Sequence, residues 1–378
     1  YMRRNIIIAI CFFWMFIMIN NIPNLSIPSV LLHIITYGPI LFVLSFSRFQ
    51  YLVQIKGVIF LAFFVYFFHY TLDRVYLFDI IELLIVPVIL VLYRRFVRDD
   101  KYHLLLYTAV TIYLINCVVS LYEYNYKINL FYSELTYFDR FRSSGIWGHP
   151  LYNALIHGGC MLFIIMSSLN KYFKAILWFL GLYVIFCFDA RAATIVTVGL
   201  SVGILYCRRV ISKRNIIYII AIGIIFALIL DKIGNTELGG KLFADETRSF
   251  DDGSSRVRIV TIEAFLKQPF DSIMMGVDDQ FTLANRYGIV CFENSFIALV
   301  LRYGLLLAAL IIYILARYTF KLTDRLQIRE RLIVVCYIFL SGITSMALTS
   351  GYVWICYFSF YLMFCGASNL ASDAKMER

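Results

Sequence analysis

Apolar residues along this chain of 378 residues come in long blocks and do not alternate with polar ones at a strand's period of two. Short polar stretches, most of them basic, separate the blocks. A helix needs roughly 20 apolar residues, or as few as about 17, to cross a bilayer core. Blocks of that size predict spans at 6–22, 30–46, 57–72, 77–93, 102–121, 151–169, 173–188, 193–206, 216–230, 293–316, 332–348 and 351–370. The expected fold is all-α: a polytopic integral membrane protein of about twelve transmembrane helices, because helices satisfy their own backbone groups in lipid. The first block follows Arg3 and Arg4 and lacks a small-residue cleavage pattern, so it is expected to be a retained helix and not a signal peptide. Residues 1–378 read as one membrane domain, with no Pro- or Ser-rich linker, low-complexity tract or internal repeat.

Two segments interrupt the pattern. Residues 122–150 hold Arg140, Phe141, Arg142, Gly145, Gly148 and Pro150. Residues 231–291 form a loop too long for a plain connection, and loops of that length usually carry function. Within it, Ser254 and Ser255 can cap a helix from about Arg256 to Lys267, which Pro269 stops. On that helix Arg256 and Glu263 share a face, and Arg258 points roughly the other way.

Composition agrees with the block pattern. Hydrophobic residues make up 61% and charged residues 15% of the chain, with a mean hydropathy of +0.79. The formal net charge of +10 could suggest a nucleic-acid partner, but its placement argues for a membrane. With the N-terminus inside, the short cytoplasmic segments take most of the 34 Lys and Arg residues, and the short outer loops hold only Arg74 and Arg191. That rule puts both termini in the cytoplasm and makes 122–150 and 231–291 the first outer segment and the large outer loop. The nine cysteines fall mostly inside apolar blocks without paired or metal-ligand spacing, so neither disulfides nor zinc are expected.

The chain lacks a Gly-Lys-Ser/Thr phosphate loop, a His-Glu-x-x-His motif, a Gly-x-Ser-x-Gly motif and a carboxylate cluster with metal spacing. The pairs Asp99-Asp100, Asp251-Asp252 and Asp278-Asp279 read as solvated charge. The positive signal is arginine on the outer side: Arg140, Arg142, Arg191, Arg256 and Arg258. A guanidinium is always charged and its planar fork fits phosphate bidentately, so several of them suit an anionic lipid headgroup. Arg191 is the sharpest case, being a lone base in a five-residue outer turn. Glu293 stands with Asn294 and Ser295 at the outer mouth of a span, where an acid in the first turn complements the helix dipole and Asn294 or Ser295 caps it. Asp79, Glu82 and Arg302 are ionisable residues within spans, and a pairing of Arg302 with Glu82 is expected. His149 and His157 begin and follow one helix, and His157 reads as a satisfied polar contact.

At these residues the chain resembles the bacterial O-antigen polymerase and O-antigen ligase superfamily. Arg142-Ser-Ser-Gly145-Ile-Trp-Gly-His-Pro150-Leu-Tyr-Asn153-Ala resembles the family's Arg-x-x-Gly…Asn-Pro-Asn segment. Asp189-Ala-Arg191-Ala-Ala resembles its Ser-Arg turn, and Ser255-Arg256-Val-Arg258 through Ala264, Pro269, Gly276 and Phe281 resembles its outer loop. Glu293-Asn294-Ser295-Phe296 through Tyr303-Gly304-Leu305 resembles its His-Asn-Ser-Phe…Tyr-Gly-Leu helix. Together the four cover roughly residues 140–310, in the family's order.

The resemblance implies an inverting, metal-independent glycosyltransferase of the inner membrane that needs no cofactor. It would transfer undecaprenyl-diphosphate-linked glycan onto the next lipid-linked repeat unit at the periplasmic face. Glu293, Arg191 and Arg256 would be catalytic; Arg142, Arg258, Asn294, His149 and Arg140 would bind substrate. Either Arg256 or Arg258 can match the family's loop arginine. The partners implied are the lipid-linked oligosaccharide, membrane lipid and a protein that regulates chain length, with no nucleic acid. Glu293 stands where the ligases carry histidine, which favours polymerase over transfer to lipid A core. A lipid-linked oligosaccharide flippase would need cations lining a cavity and two related halves. Here Arg302 is the one basic residue deep in a span, and no repeat is found.

Overall fold

The computed structural model describes residues 102–130, 141–208, 253–323 and 326–345, together with Phe67. Among the described residues the chain is helical and no strand occurs. Ten helices are described: α1 (Tyr102–Tyr126), α2 (Pro150–Met166), α3 (Lys171–Cys187), α4 (Arg191–Cys207), α5 (Gly253–Leu266), α6 (Phe270–Met275), α7 (Gln280–Arg286), α8 (Ser295–Tyr303), α9 (Leu305–Leu322) and α10 (Ile328–Thr344). The expected spans 6–22, 30–46, 77–93, 216–230 and 351–370, and all of 57–72 but Phe67, lie outside the described residues, as do Arg140, Asp79 and Glu82.

The helices begin where their local chemistry allows. His149 caps α2 by accepting the Leu151 N–H at 3.2 Å, and Pro150 takes the first helical position, where its missing N–H is no loss. Asn170 caps α3 through the Tyr172 N–H at 2.9 Å. Among the described residues, Leu106–Tyr126 within α1 is long and apolar enough to cross a membrane, at 21 residues with a mean hydropathy of 1.3. Pro150–Met166, Arg191–Cys207 and Leu305–Arg317 are shorter apolar helices. A helix of 17 residues, such as α2 or α4, is about 25 Å long, at the low end for a bilayer core.

Helix α2 is the centre of the bundle, with α1, α3 and α4 packed around it and α10 against α4. Its residues Leu155, Ile156, Met161 and Leu162 are all but fully enclosed. Helices α1 to α4 alternate in direction. At the lower end, Arg208 just after α4 bonds Glu330 in the first turn of α10 at 2.7 Å. The same guanidinium donates to the last carbonyls of α2, Met166 at 3.0 Å and Ile165 at 3.5 Å. A cation there meets the negative end of the helix dipole. Lys174 of α3 joins it, donating to the carbonyls of Ile165 and Ser167.

Three expected boundaries are corrected. The span ending at residue 121 continues to Tyr126, because Glu123 in its last turns is buried with every acceptor engaged (below). The loop helix is already formed at Gly253, so Ser254 and Ser255 lie inside it and not ahead of its first turn. Pro269 ends that helix and is also the N-cap of α6, so the loop holds α6 and α7 besides the one helix expected.

The span expected at 293–316 is two helices, α8 and α9, separated by Gly304. Gly304 has φ 78 and ψ 162, a region essentially reserved for glycine. A β-carbon there would stand 2.2 Å from the Met274 carbonyl oxygen. Gly276 (φ 86) meets the chain from the other side, since its β-carbon would lie 2.9 Å from the Arg302 carbonyl. The Val277 N–H donates to Leu301 O at 2.7 Å. The end of α6 is thus wedged against the break. Around α8 a second core forms from Ala264, Leu283, Ala284, Phe292, Ala298 and Leu301, which fixes α5 and α7 to the bundle.

Candidate functional site

At the upper end, the described residues on either side of 131–140, between α1 and α2, are tied down by one carboxylate. Glu123 is fully enclosed. Its Oε2 accepts the N–H groups of Ser144 and Gly145, both at 2.7 Å, and its Oε1 accepts Leu130 N–H at 2.8 Å and Ser144 Oγ–H at 2.9 Å. Asn116 and Ser120 lie on the same face of α1: Ile146 N–H donates to Asn116 Oδ1 at 3.1 Å, and Ser143 Oγ–H donates to Ser120 O at 2.6 Å. Asn116 Nδ2 also meets His157 Nδ1 at 3.2 Å, and the His157 ring stacks on Tyr113 with centroids 4.6 Å apart. His157 is therefore built into the packing between α1 and α2.

This anchoring sets Arg142. The neighbouring Ser143 N–H donates to Cys187 O at 3.0 Å, and Arg142 Nε lies 3.9 Å from Asp189 Oδ2. Asp189, in the turn between α3 and α4, is buried and has φ 50. Arg191 is the first residue of α4, whose cap position, Ala190, offers no side-chain acceptor. A positive side chain on the positive end of a helix dipole is unfavourable unless an anion is nearby. His149 uses Nδ1 to cap α2, so its ring proton is on Nε2. Burial, followed by the positive charge of Arg142, lowers its pKa from 6.5 to about 4. His149 is thus neutral at ordinary pH and a weak base.

The second group comes from α5, α8 and α10. Asn294 caps α8, its Oδ1 accepting Phe296 N–H at 3.0 Å and Ile297 N–H at 3.2 Å. Glu293 therefore precedes the cap and is not in the first turn. Its Oε2 lies 3.6 Å from Arg258 Nε, and Arg258 Nη2 is 3.5 Å from the carbonyl oxygen of Thr344. Ser295 ties the start of α8 to the end of α10, donating from N at 3.2 Å and Oγ at 2.7 Å to Ser345 O. Arg256, two positions from Arg258 and so about 200° round the helix, is exposed and away from Glu293. Glu263 pairs instead with Lys267, at 2.5 Å.

The two groups stand at the same level. A β-carbon on Gly158 of α2 would lie 2.2 Å from Thr197 Oγ1 and 2.5 Å from the Tyr337 hydroxyl, so α4 and α10 pass that point together. From there Arg191 is about 9 Å up its helix and Thr344 about 10 Å up the other. Packed helices lie about 8–10 Å apart. Arg142, His149, Arg191, Arg258, Glu293 and Asn294 thus share one end of the bundle, and Arg256 stands on its rim. Arg302 is buried in the last turn of α8, where a cation meets the negative end of the dipole.

The residues that sequence reasoning missed are Glu123, Asn116 and Asp189. The first two had a signal: with Ser120 they place polar side chains at helical spacing on an apolar helix. Among the described residues, no three His, Cys, Asp or Glu side chains converge to hold a metal. Compared with known protein families and with curated proteins, the chain matches none.

Proposed function

We propose that this chain is a polytopic membrane glycosyltransferase of about twelve spans that polymerises glycan repeats carried on undecaprenyl diphosphate, at the periplasmic face of the bacterial inner membrane. One observation carries the reading: Arg142, Arg191 and Arg258 stand at one end of a helix bundle, with Asp189 against Arg142 and Glu293 against Arg258. The bundle's exterior supports the membrane setting. Val118, Ile176, Phe179, Ile195, Leu306 and Tyr313 are exposed on the sides of α1, α3, α4 and α9, where a water-facing helix would carry polar residues.

In this reading the three arginines hold the donor's diphosphate. The acceptor hydroxyl oxygen forms a bond to the donor's anomeric carbon from the face opposite the leaving group. The bond from that carbon to the diphosphate oxygen breaks, and its electron pair leaves with the diphosphate. Glu293 takes the hydroxyl proton, and the arginines stabilise the charge that develops on the diphosphate. Attack from the opposite face inverts the anomeric centre. Asn294, whose Oδ1 is committed to capping, keeps its amide N–H groups for a sugar hydroxyl.

The test is the lipopolysaccharide ladder of a deletion strain carrying the gene or its variants. Deletion should leave one repeat on the core, and Glu293→Gln at matched protein level should do the same. A wild-type ladder from Glu293→Gln would remove it from the mechanism. Long glycan left on the carrier, with none on the core, would make the protein a ligase.

A further inference from the structure

Glu293 and Arg258 are joined loosely. The Nε–Oε2 separation is 3.6 Å and the Nη2–Thr344 O separation 3.5 Å. Charge-assisted hydrogen bonds of arginine are about 2.7–2.9 Å long. Arg258 Nε is enclosed by protein yet makes no hydrogen bond. The guanidinium thus stands between two oxygen acceptors, with one long hydrogen bond to Thr344 O and none to Glu293. Asn294 has taken over the capping of α8, so the Glu293 carboxylate is not its cap.

The geometry points to Arg258 as a diphosphate site that Glu293 occupies at rest, so that the carboxylate and the incoming diphosphate compete for one guanidinium. This inference rests on the reading that Arg258 meets the lipid diphosphate, and it adds an order of events. While the pair is closed, the neighbouring cation favours the charged carboxylate and makes Glu293 a poor proton acceptor. A diphosphate can take the guanidinium in two parallel hydrogen bonds, which a carboxylate at 3.6 Å does not make. Glu293 then yields Arg258 to the diphosphate and gains an anionic neighbour, and both changes raise its affinity for a proton. The base becomes competent only after the donor is bound, so the acceptor hydroxyl is not activated over an empty site.

The full-length protein in nanodiscs of zwitterionic lipid, titrated calorimetrically with inorganic diphosphate, tests this. Removing the internal competitor in Glu293→Gln should tighten binding roughly two- to fivefold, the range in which partly exposed ion pairs contribute. Glu293→Asp, which draws the carboxylate back, should tighten it less, and Arg258→Gln should weaken it. If both Glu293 variants elute like wild type from a sizing column and bind diphosphate no more tightly, the competition is refuted and the polymerase reading stands. If wild type binds no diphosphate, the anion site and the polymerase reading both fall. Loss of wild-type binding when the discs are doped with phosphatidylglycerol would assign the site to bilayer phosphate and overturn the inference.

Discussion

Replacing Glu123 with alanine removes, in one step, the acceptor for Ser144 N–H, Gly145 N–H, Leu130 N–H and Ser144 Oγ–H. Each buried donor left without a partner costs about 1–3 kcal/mol. The hydroxyl can rotate to another acceptor, and the segment can open to solvent before the full sum is reached. The expected loss is about 3–5 kcal/mol, more than one orphaned donor costs and less than the sum over all of them. Glu123→Gln should cost less. Its amide –NH₂, placed at the Oε1 position, can donate to Ser144 Oγ and so faces only one N–H group, that of Leu130. That leaves one unmade bond and about 1–3 kcal/mol. The loss should be local, because Ser143 and the segment around it hang on this carboxylate. Hydrogen exchange of peptides spanning 141–150, measured in detergent, should therefore rise sharply in Glu123→Ala and modestly in Glu123→Gln. Exchange in α3 should stay as in wild type. Wild-type protection at Ser144 and Gly145 in the alanine variant would refute the argument.

Gly304→Ala should lower the folded yield by size-exclusion profile. Glycine-only backbone costs of order 1–3 kcal/mol in other residues, and the added carbon would stand 2.2 Å from a backbone oxygen. Arg208→Ala should destabilise by about 3–5 kcal/mol, since Glu330 is buried; adding Glu330→Gln should recover part of the thermal stability, and a double variant worse than the single would contradict this. Because folding holds His149 near 4 where the free side chain titrates at 6.5, the unfolded chain takes up a proton that the folded chain refuses. Stability should thus fall as pH drops from about 6.5 toward 4, and His149→Asn should flatten that part of the melting-temperature profile; an unchanged slope would exclude His149 as its source. In the glycan-ladder assay, Arg258→Ala should abolish polymer and Arg256→Ala should retain it, and the reverse pattern would move the site to the exposed face of α5.

Hydropathy placed α1, α2, α3, α4 and α10 to within a few residues, because a long apolar block without a strand's alternation reads as a helix. It could not show the break at Gly304. The residues on both sides are apolar, and one glycine in such a block is compatible with a continuous helix. The break depends on the approach of Met274 and Gly276, which are distant from Gly304 in sequence but adjacent in the fold. The role of Glu123 was within reach. Asn116, Ser120 and Glu123 repeat at helical spacing, but ending the span at residue 121 cut the pattern before its last member.

The choice between Arg256 and Arg258 shows how the same limit applies to the site. Placing both on one helix was enough to separate them by about 200°, so they lie on different flanks of it. Which one faces inward depends on where α8 and α10 lie, and no local pattern encodes that. In the structure Val257, Val260, Thr261 and Ala264 turn toward the bundle, with Ala264 inside the second core, and Arg258 lies at the edge of that face. Arg256, Glu263 and Lys267 fall on the other flank, about 90° from the centre of that face, where the Glu263–Lys267 pair is solvated and worth little. The position of Glu293 follows from the same packing. Once Asn294 takes the cap, the residue before it is directed off the helix axis, toward whatever covers the start of α8. That cover is α5, and Arg258 is the charged side chain it presents there.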